Sequence, residues 1–129
     1  MAGTIVANTL NTDTGVFSTN NAYNGIAKAW VNFDGTVATP TIRAAFNVGS
    51  ITKNGTGDYT INFTTAMPSV NYSPCVSMGY VGTYMPYLFV NSSGTVVAPT
   101  TSNFLVGIIR YDANAFSDAA YINVSIFSS

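Results

Sequence analysis

Five aspartates supply every side-chain carboxylate of this 129-residue chain, which contains no histidine. They are Asp13, Asp34, Asp58, Asp112 and Asp118. Two carboxylates can hydrolyse a glycosidic bond, one as the acid and the other as the base or nucleophile. No spacing pairs these five, and Asp34 and Asp58 each stand beside a glycine, where aspartate usually accepts hydrogen bonds within a turn. The usual general base near neutral pH, histidine, is also absent. We therefore expect no enzyme.

Metal and cofactor sites are not expected either. Asp112, Asn114 and Asp118 faintly resemble a calcium loop but lack the central glycine and the final glutamate of an EF-hand. The glycines around residue 56 are not followed by the Lys-Ser/Thr pair and helix of a phosphate-binding loop. Cys75 has neither histidine nor a neighbouring cation to activate it, and it lies in an apolar strand. The sequence predicts a buried core thiol there.

Aromatic residues are the best candidates for recognition, namely Tyr80, Tyr84 and Tyr87, together with Trp30. The segment 82–87 is predicted to be a loop that carries two of the tyrosines and a methionine. Aromatic side chains in a loop can stack on a sugar or anchor a protein partner. The alternative is that they pack over the edge of the core or between subunits.

Charge is scarce in this chain, at 7% of residues, while 47% are hydrophobic and the net charge is −1. Four Lys and Arg residues cannot form the basic patch that nucleic acid or an anionic membrane surface requires. No apolar run reaches membrane-spanning length, and the N-terminus does not read as a signal peptide. The polar surface must come from Asn, Thr, Ser and Gly, which are neutral and favour close association. We expect an oligomer.

Short strands separated by Gly, Asn and Pro turns predict an all-β fold, an antiparallel β-sandwich of jelly-roll-like or immunoglobulin-like type. The sandwich is expected over 28–129, and residues 1–27 are expected to form an N-terminal arm for attachment or subunit exchange. Residues 103–111 are apolar on both faces, which indicates a central strand or one that meets another subunit. Residues 112–120 are expected to be a loop. The predicted strands are 28–34, 42–48, 59–64, 75–81, 87–91, 95–98, 103–111 and 121–127.

Five segments within residues 26–72 resemble a known module. They are residues 28–36 (KAWVNFDGT), 42–48 (IRAAFNV), 50–52 (SIT), 54–68 (NGTGDYTINFTTAMP) and 71–72 (NY). The amino-acid sequence of these segments is similar to a module that recurs in tail-fibre and other virion proteins of tailed bacteriophages, notably marine and cyanobacterial phages. The match covers about a third of the chain. It falls on predicted strands and a hairpin, so it implies a fold more than a site.

The resemblance implies a virion structural protein, a fibre- or knob-type homotrimer on the tail or capsid. Such a protein would be made in the host cytoplasm without a signal peptide and would bind other virion proteins through residues 1–27. The part after Pro74 would face outward, toward a host-surface glycan or protein. Two other functions stay open, a stand-alone carbohydrate-binding module and a small glycan hydrolase.

Overall fold

The computed structural model describes residue 3 and residues 9–12, 15–79 and 84–129, with side chains inside the elements described from residue 22 onward. Near the N-terminus, β1 (Thr9–Thr12) and β2 (Gly15–Ser18) form an antiparallel hairpin, and α1 (Thr19–Gly25) follows. This short helix and hairpin lie within the predicted arm and were not expected from its sequence pattern. The attachment role of residues 1–27 stays a prediction.

Two antiparallel sheets pack against each other as a sandwich, which confirms the predicted fold class. The four-stranded sheet has the order β4-β3-β11-β7. Its strands are β3 (Ala29–Asp34), β4 (Thr41–Phe46), β7 (Ser73–Gly79) and β11 (Tyr121–Phe127). The five-stranded sheet contains β5 (Val48–Gly55), β6 (Asp58–Phe63), β8 (Tyr84–Leu88), β9 (Asn103–Arg110) and β10 (Ala115–Phe116).

Strand β9 is a central strand of its sheet, which is one of the two alternatives predicted for residues 103–111. It pairs with β6 and then β10 along one edge, and with β8 along the other. Its inward residues, among them Phe104 and Ile108, are buried in the core. The predicted loop over 112–120 is confirmed except for the two residues of β10.

The core lies where the alternating residues of the two sheets meet. In β3 and β11 every second residue is fully buried, and the residues between them face outward. Phe33 of one sheet packs edge-on against Tyr59 of the other, with ring centroids 5.4 Å apart. Burying one such side chain contributes about 1.5–3 kcal/mol, so the strict alternation fixes which face of each strand points inward.

The predicted strand over 42–48 is confirmed for residues 42–46, which lie in β4, but the chain changes sheets at Asn47 and Val48 belongs to the next strand. Asn47 has a φ of 54° and connects β4 in one sheet to β5 in the other. Asparagine tolerates this left-handed conformation better than most residues. Its side-chain amide donates to the carbonyl oxygens of Lys28 and Thr65, and its oxygen accepts from the Thr65 N–H at 2.7 Å. The side chain therefore holds the corner.

The predicted hairpin of 87–91 with 95–98 is present but short. The bridge between Val90 and Val96 joins its arms, and the N–H groups of Val97 and Asn91 donate to the carbonyl oxygens of Phe89 and Thr95 at 2.6 and 3.0 Å. The start of the first arm, up to Leu88, also belongs to β8 and pairs with β9. The Asn91 side-chain oxygen caps the turn, because it accepts from the N–H groups of Ser93 and Thr95 at 3.1 and 2.9 Å. The segment after β8 thus folds as a capped turn.

Candidate functional site

The outer surface of the four-stranded sheet carries large apolar side chains. We call it the neutral face. Its first row crosses all four strands through Phe46, Trp30, Ser125 and Cys75, which are successive cross-strand partners. Trp30 is 40% exposed and Phe46 is 54% exposed. The other members of the neutral face are Asn32, Asp34, Arg43, Ala44, Ser77, Gly79, Tyr121 and Asn123.

Polar groups on the neutral face largely satisfy one another. The Asn32 side-chain amide donates to the Asn123 side-chain oxygen. Arg43 forms an ion pair with Asp34 at 3.0 Å, and its guanidinium carbon lies 4.3 Å from the ring centroid of Tyr121. Hydrogen bonds from the hydroxyl and N–H of Thr36, helped by the charge of Arg43, hold the pKa of Asp34 below its ordinary value. The face therefore carries one cation and one anion and no net charge.

A shallow, open pocket lies at the Phe46 end of this row. Its volume is about 380 Å³, and Phe46, Asn47, Thr64 and Thr65 line it. The Asn47 amide is already occupied by the corner hydrogen bonds. The pocket therefore offers an aromatic wall and threonine side chains more than free amide groups.

The corresponding surface of the five-stranded sheet is partly covered by the chain itself. Leu105 points outward from β9 yet is only 8% exposed. A Cβ at Gly107 would lie 2.7 Å from the Phe116 ring and 3.0 Å from the Val90 carbonyl oxygen, so both groups lie directly over that glycine. On the neighbouring strands, Asn62 donates to the hydroxyls of Ser50 and Thr52.

The predicted recognition tyrosines do not converge on one surface. Tyr80 lies outside the described residues. Residues 84–87, predicted as loop, belong to strand β8, which turns Tyr84 and Tyr87 to opposite sides. Tyr84 packs on the core, and its hydroxyl lies 3.1 Å from that of Ser117. Tyr87 is 40% exposed, on the same side of β8 as Met85. Of the described pair, Tyr87 alone is placed mainly toward solvent.

Cys75 is exposed, so the prediction of a buried thiol is wrong. In β7 the half-buried residues are Pro74, Val76 and Met78, and the alternation sends Cys75 to the neutral face. The thiol lies two strands from Trp30 in the first row.

Asp118 and Lys53 are half-buried and form a polar cluster with the buried Tyr59. The Lys53 ammonium donates to Asp118 Oδ2 at 2.7 Å and to the carbonyl oxygens of Gly35 and Val37 at 2.9 and 3.3 Å. Asp118 Oδ1 accepts from the Tyr59 hydroxyl at 2.6 Å and from the Gly57 N–H at 2.8 Å. The cluster ties β5 and β6 to the loops that follow β3 and β10.

The pKa values in this cluster follow from burial and these contacts. Burial alone would raise the pKa of Asp118, but the hydrogen bonds from Lys53, Tyr59 and Gly57 outweigh it and leave the pKa below its ordinary value. Burial and the neighbouring Asp118 carboxylate raise the pKa of Tyr59 far above its ordinary value. Outside the cluster, burial likewise raises the pKa of Tyr72 to about 12. All three groups thus keep their ordinary charge at neutral pH.

The other described aspartates also have structural contacts. Asp34 accepts from the Thr36 N–H at 2.9 Å, which confirms its predicted turn role. Asp58 is buried and accepts from the Asn54 amide and from the Ser92 N–H, so it ties its hairpin to the turn after β8. Asp112 pairs with Arg110 at 2.7 Å, away from the Asp118 cluster.

Among residues 15–79 and 84–129, no three Asp, Glu, His or Cys side chains come together in a way that could hold a metal ion. Asp112 and Asp118, the two ends of the faint calcium pattern, have different partners. Asp13 lies outside the described residues.

Sequence reasoning singled out Trp30 but missed the surface around it. Phe46, Tyr121 and Cys75 join Trp30 only once strands from distant parts of the sequence pair. The usable signal was parity, because Trp30 and Asn32 alternate with buried residues and so must face away from the core.

Comparison of the chain with protein-family models, with curated proteins and with solved structures finds no match. Within the described part of the chain, no helix has the length and apolarity that a membrane crossing needs.

Proposed function

We propose that this protein is a structural subunit of a bacteriophage virion, a fibre- or knob-type homotrimer on the tail or capsid. The observation that carries the proposal is the neutral face, an exposed sheet surface with three large aromatic side chains, Trp30, Phe46 and Tyr121, and no net charge. Contiguous apolar surface of this kind marks an interaction site more often than a bare solvent-facing sheet.

The sequence resemblance supports the same function from a second direction. The resembling stretch, 26–72, spans strands β3 to β6, including the corner at Asn47 and the hairpin around Gly57. These residues build half of the sandwich core and contribute Trp30 and Phe46 to the neutral face. A module that recurs for assembly would be expected to carry both the core and a contact surface.

In this proposal the remaining parts of the chain have separate tasks. Residues 1–27 attach the subunit to other virion proteins, and the later strands and loops face the host surface. No catalytic step is needed, and the described aspartates serve the fold through the contacts given above.

Two measurements test the proposal. Light scattering or native mass measurement of the full chain is expected to give a stable trimer, and antibody labelling of intact particles is expected to mark the tail or the capsid. A clean monomer at micromolar concentration together with unlabelled particles would overturn it.

A stand-alone carbohydrate-binding module is the second candidate, favoured by the exposed pair Tyr87 and Met85 on the outer side of β8. It predicts saturable glycan binding that Tyr87→Ala abolishes. Tyr111→Ala, at a residue 74% exposed in a different turn, is the matched control and should bind normally. Absence of any hit on a broad glycan array would remove this candidate.

A further inference from the structure

We infer that the neutral face is the surface on which a second copy of this chain docks. The inference deepens the proposed function, and rests on it for the existence of an assembly, by naming the surface through which subunits meet. Neither the resemblance nor the sequence pattern identified that surface.

The apolar side chains of the neutral face are placed for contact with a flat partner. Phe46 and Trp30 are direct cross-strand partners at one end, and Tyr121, 54% exposed, lies on the same side of the sheet near the other end. The row between them holds small or neutral residues, Ala44, Asn32, Asn123 and Ser77. Large aromatic anchors set among small neutral groups are typical of the central part of an interface.

Charge complementarity favours a copy of the same chain as the occupant. Another copy can dock here without bringing like charges together, because the one ion pair on this face, Arg43 with Asp34, is closed within the subunit and only 7% of the chain is charged. In a homotrimer the contact is head-to-tail, so the neutral face meets a different surface of the neighbouring copy. The Asn32 side-chain amide also donates to the Asn123 side-chain oxygen, so one donor and one acceptor on this face are already paired within the subunit. The residues of the neutral face offer no unpaired charge with which a strongly charged partner could form an ion pair.

The other sheet is less suited to this role. Its outward Leu105 and Gly107 are already covered, in part by Phe116 and the turn after β8. On the neutral face, by contrast, Trp30, Phe46 and Tyr121 stay 40%, 54% and 54% exposed.

The size of the face sets the strength expected of the contact. Four strands spaced about 4.8 Å apart, each six or seven residues long at about 3.4 Å per residue, give a footprint of about 400 Å². A standard interface buries about 800 Å² per partner. Contact through this face alone is therefore expected to be reversible and dependent on protein concentration.

The chain supplies its own two probes for the test. Trp30 is its single tryptophan and Cys75 its single cysteine, and both lie in the first row of the neutral face. The full chain is examined from below 1 to several hundred micromolar, on the order of the range typical of weak specific contacts. At each concentration, light scattering gives the mass and a maleimide gives the Cys75 reaction rate. As oligomer forms, we expect that rate to fall at least about tenfold and Trp30 emission to move to shorter wavelength.

Two single-charge variants separate this surface from the rest of the molecule. Ser77→Asp places a new carboxylate on the neutral face, and Ser93→Asp places the same charge on the exposed turn after β8. Ser77→Asp is expected to shift assembly to concentrations about tenfold higher or more, with Cys75 reactive at concentrations where it was protected. Ser93→Asp is expected to assemble as the parent chain does.

Each other outcome is informative. An oligomer whose Cys75 stays fully reactive, and which forms equally well with Ser77→Asp, would overturn this inference while leaving the self-assembly of the proposed function intact. A monomer at every concentration would overturn both the inference and the homotrimer, whereas virion location is tested separately by particle labelling. A Trp30 shift on adding glycan, without any change in mass, would assign the face to sugar binding and also overturn the inference.

Discussion

Replacing Asp118 by asparagine removes the anion from its half-buried cluster while keeping the side-chain shape. The Lys53–Asp118 pair has side chains only 15% and 23% exposed. Removing one partner of a buried pair typically costs about 3–5 kcal/mol. Lys53 keeps its bonds to two carbonyl oxygens, and the asparagine oxygen can still accept from Tyr59 and Gly57. We therefore expect Asp118→Asn to lower the free energy of unfolding by about 2–3 kcal/mol at pH 7.

That loss should be visible by heat as well as by urea. With an unfolding entropy of about 2.1 cal/mol/K per residue, it corresponds to a fall in Tm of about 9 °C. The assay is urea and thermal unfolding followed by circular dichroism. Asp112→Asn is the matched control, because the Arg110–Asp112 side chains are 42% and 49% exposed. It should cost about 0.5 kcal/mol or less.

The pH dependence of the deficit, the unfolding free energy that Asp118→Asn loses relative to the parent chain, provides the sharper test. The folded-state pKa of Asp118 is held below its ordinary value, so its contribution to stability is complete above the unfolded-state pKa of about 3.9. That contribution is lost as the pH falls through the lower, folded-state pKa. The deficit of Asp118→Asn should accordingly shrink toward pH 2. A deficit below about 0.5 kcal/mol at pH 7, or one unchanged at pH 2, would refute the reasoning.

Three further changes test backbone and side-chain placement, each by urea unfolding. Gly57→Ala should lower the free energy of unfolding by more than about 3 kcal/mol or prevent folding, because φ is +66° and a Cβ would lie 2.6 Å from the Ile108 carbonyl oxygen. Gly94→Ala is the control, since that glycine has a φ of +77° but open space around it, and it should lower the free energy of unfolding by about 1 kcal/mol. Asn47→Ala should lower the free energy of unfolding by about 2–3 kcal/mol. Asn47→Gly should lower it less, because glycine adopts the left-handed conformation of the corner without strain. Equal losses for the two variants would count against the corner geometry. Cys75→Ser should change stability by about 0.5 kcal/mol or less, whereas a buried thiol would cost clearly more.

The strands that could be predicted from sequence are those with one apolar and one polar side. In β11, Ile122 and Ile126 alternate with polar residues, and the structure buries them as expected. The change of sheet at Asn47 could not be predicted, because the apolar character of β4 runs on into β5 and the only local signal is one asparagine. Whether an asparagine bends the chain depends on the backbone groups that its side chain meets, here those of Lys28 and Thr65, which a local pattern does not reveal.

The error at Cys75 has a simpler cause. Cysteine is often buried, and that tendency outweighed the parity of the strand, in which Cys75 shares its side with Ser73, Ser77 and Gly79. Of the residues on the neutral face, only Trp30 was predicted from the sequence as a candidate for recognition. Its neighbours come from strands whose pairing depends on the whole topology, so the neutral face emerges only in three dimensions.

The position of β11 has a consequence for how the chain reaches its fold. This strand lies between β3 and β7, and its Asn123 bonds Asn32, 91 residues earlier. At about 5–20 residues per second, a ribosome needs roughly 5–20 s to synthesise that interval. During that time β3 and β7 lack their shared partner, and the inner residue Phe33 lacks its neighbour Ile122. Completion of the sandwich must therefore wait for the last strand, and the waiting chain is most exposed to mispairing with other nascent copies.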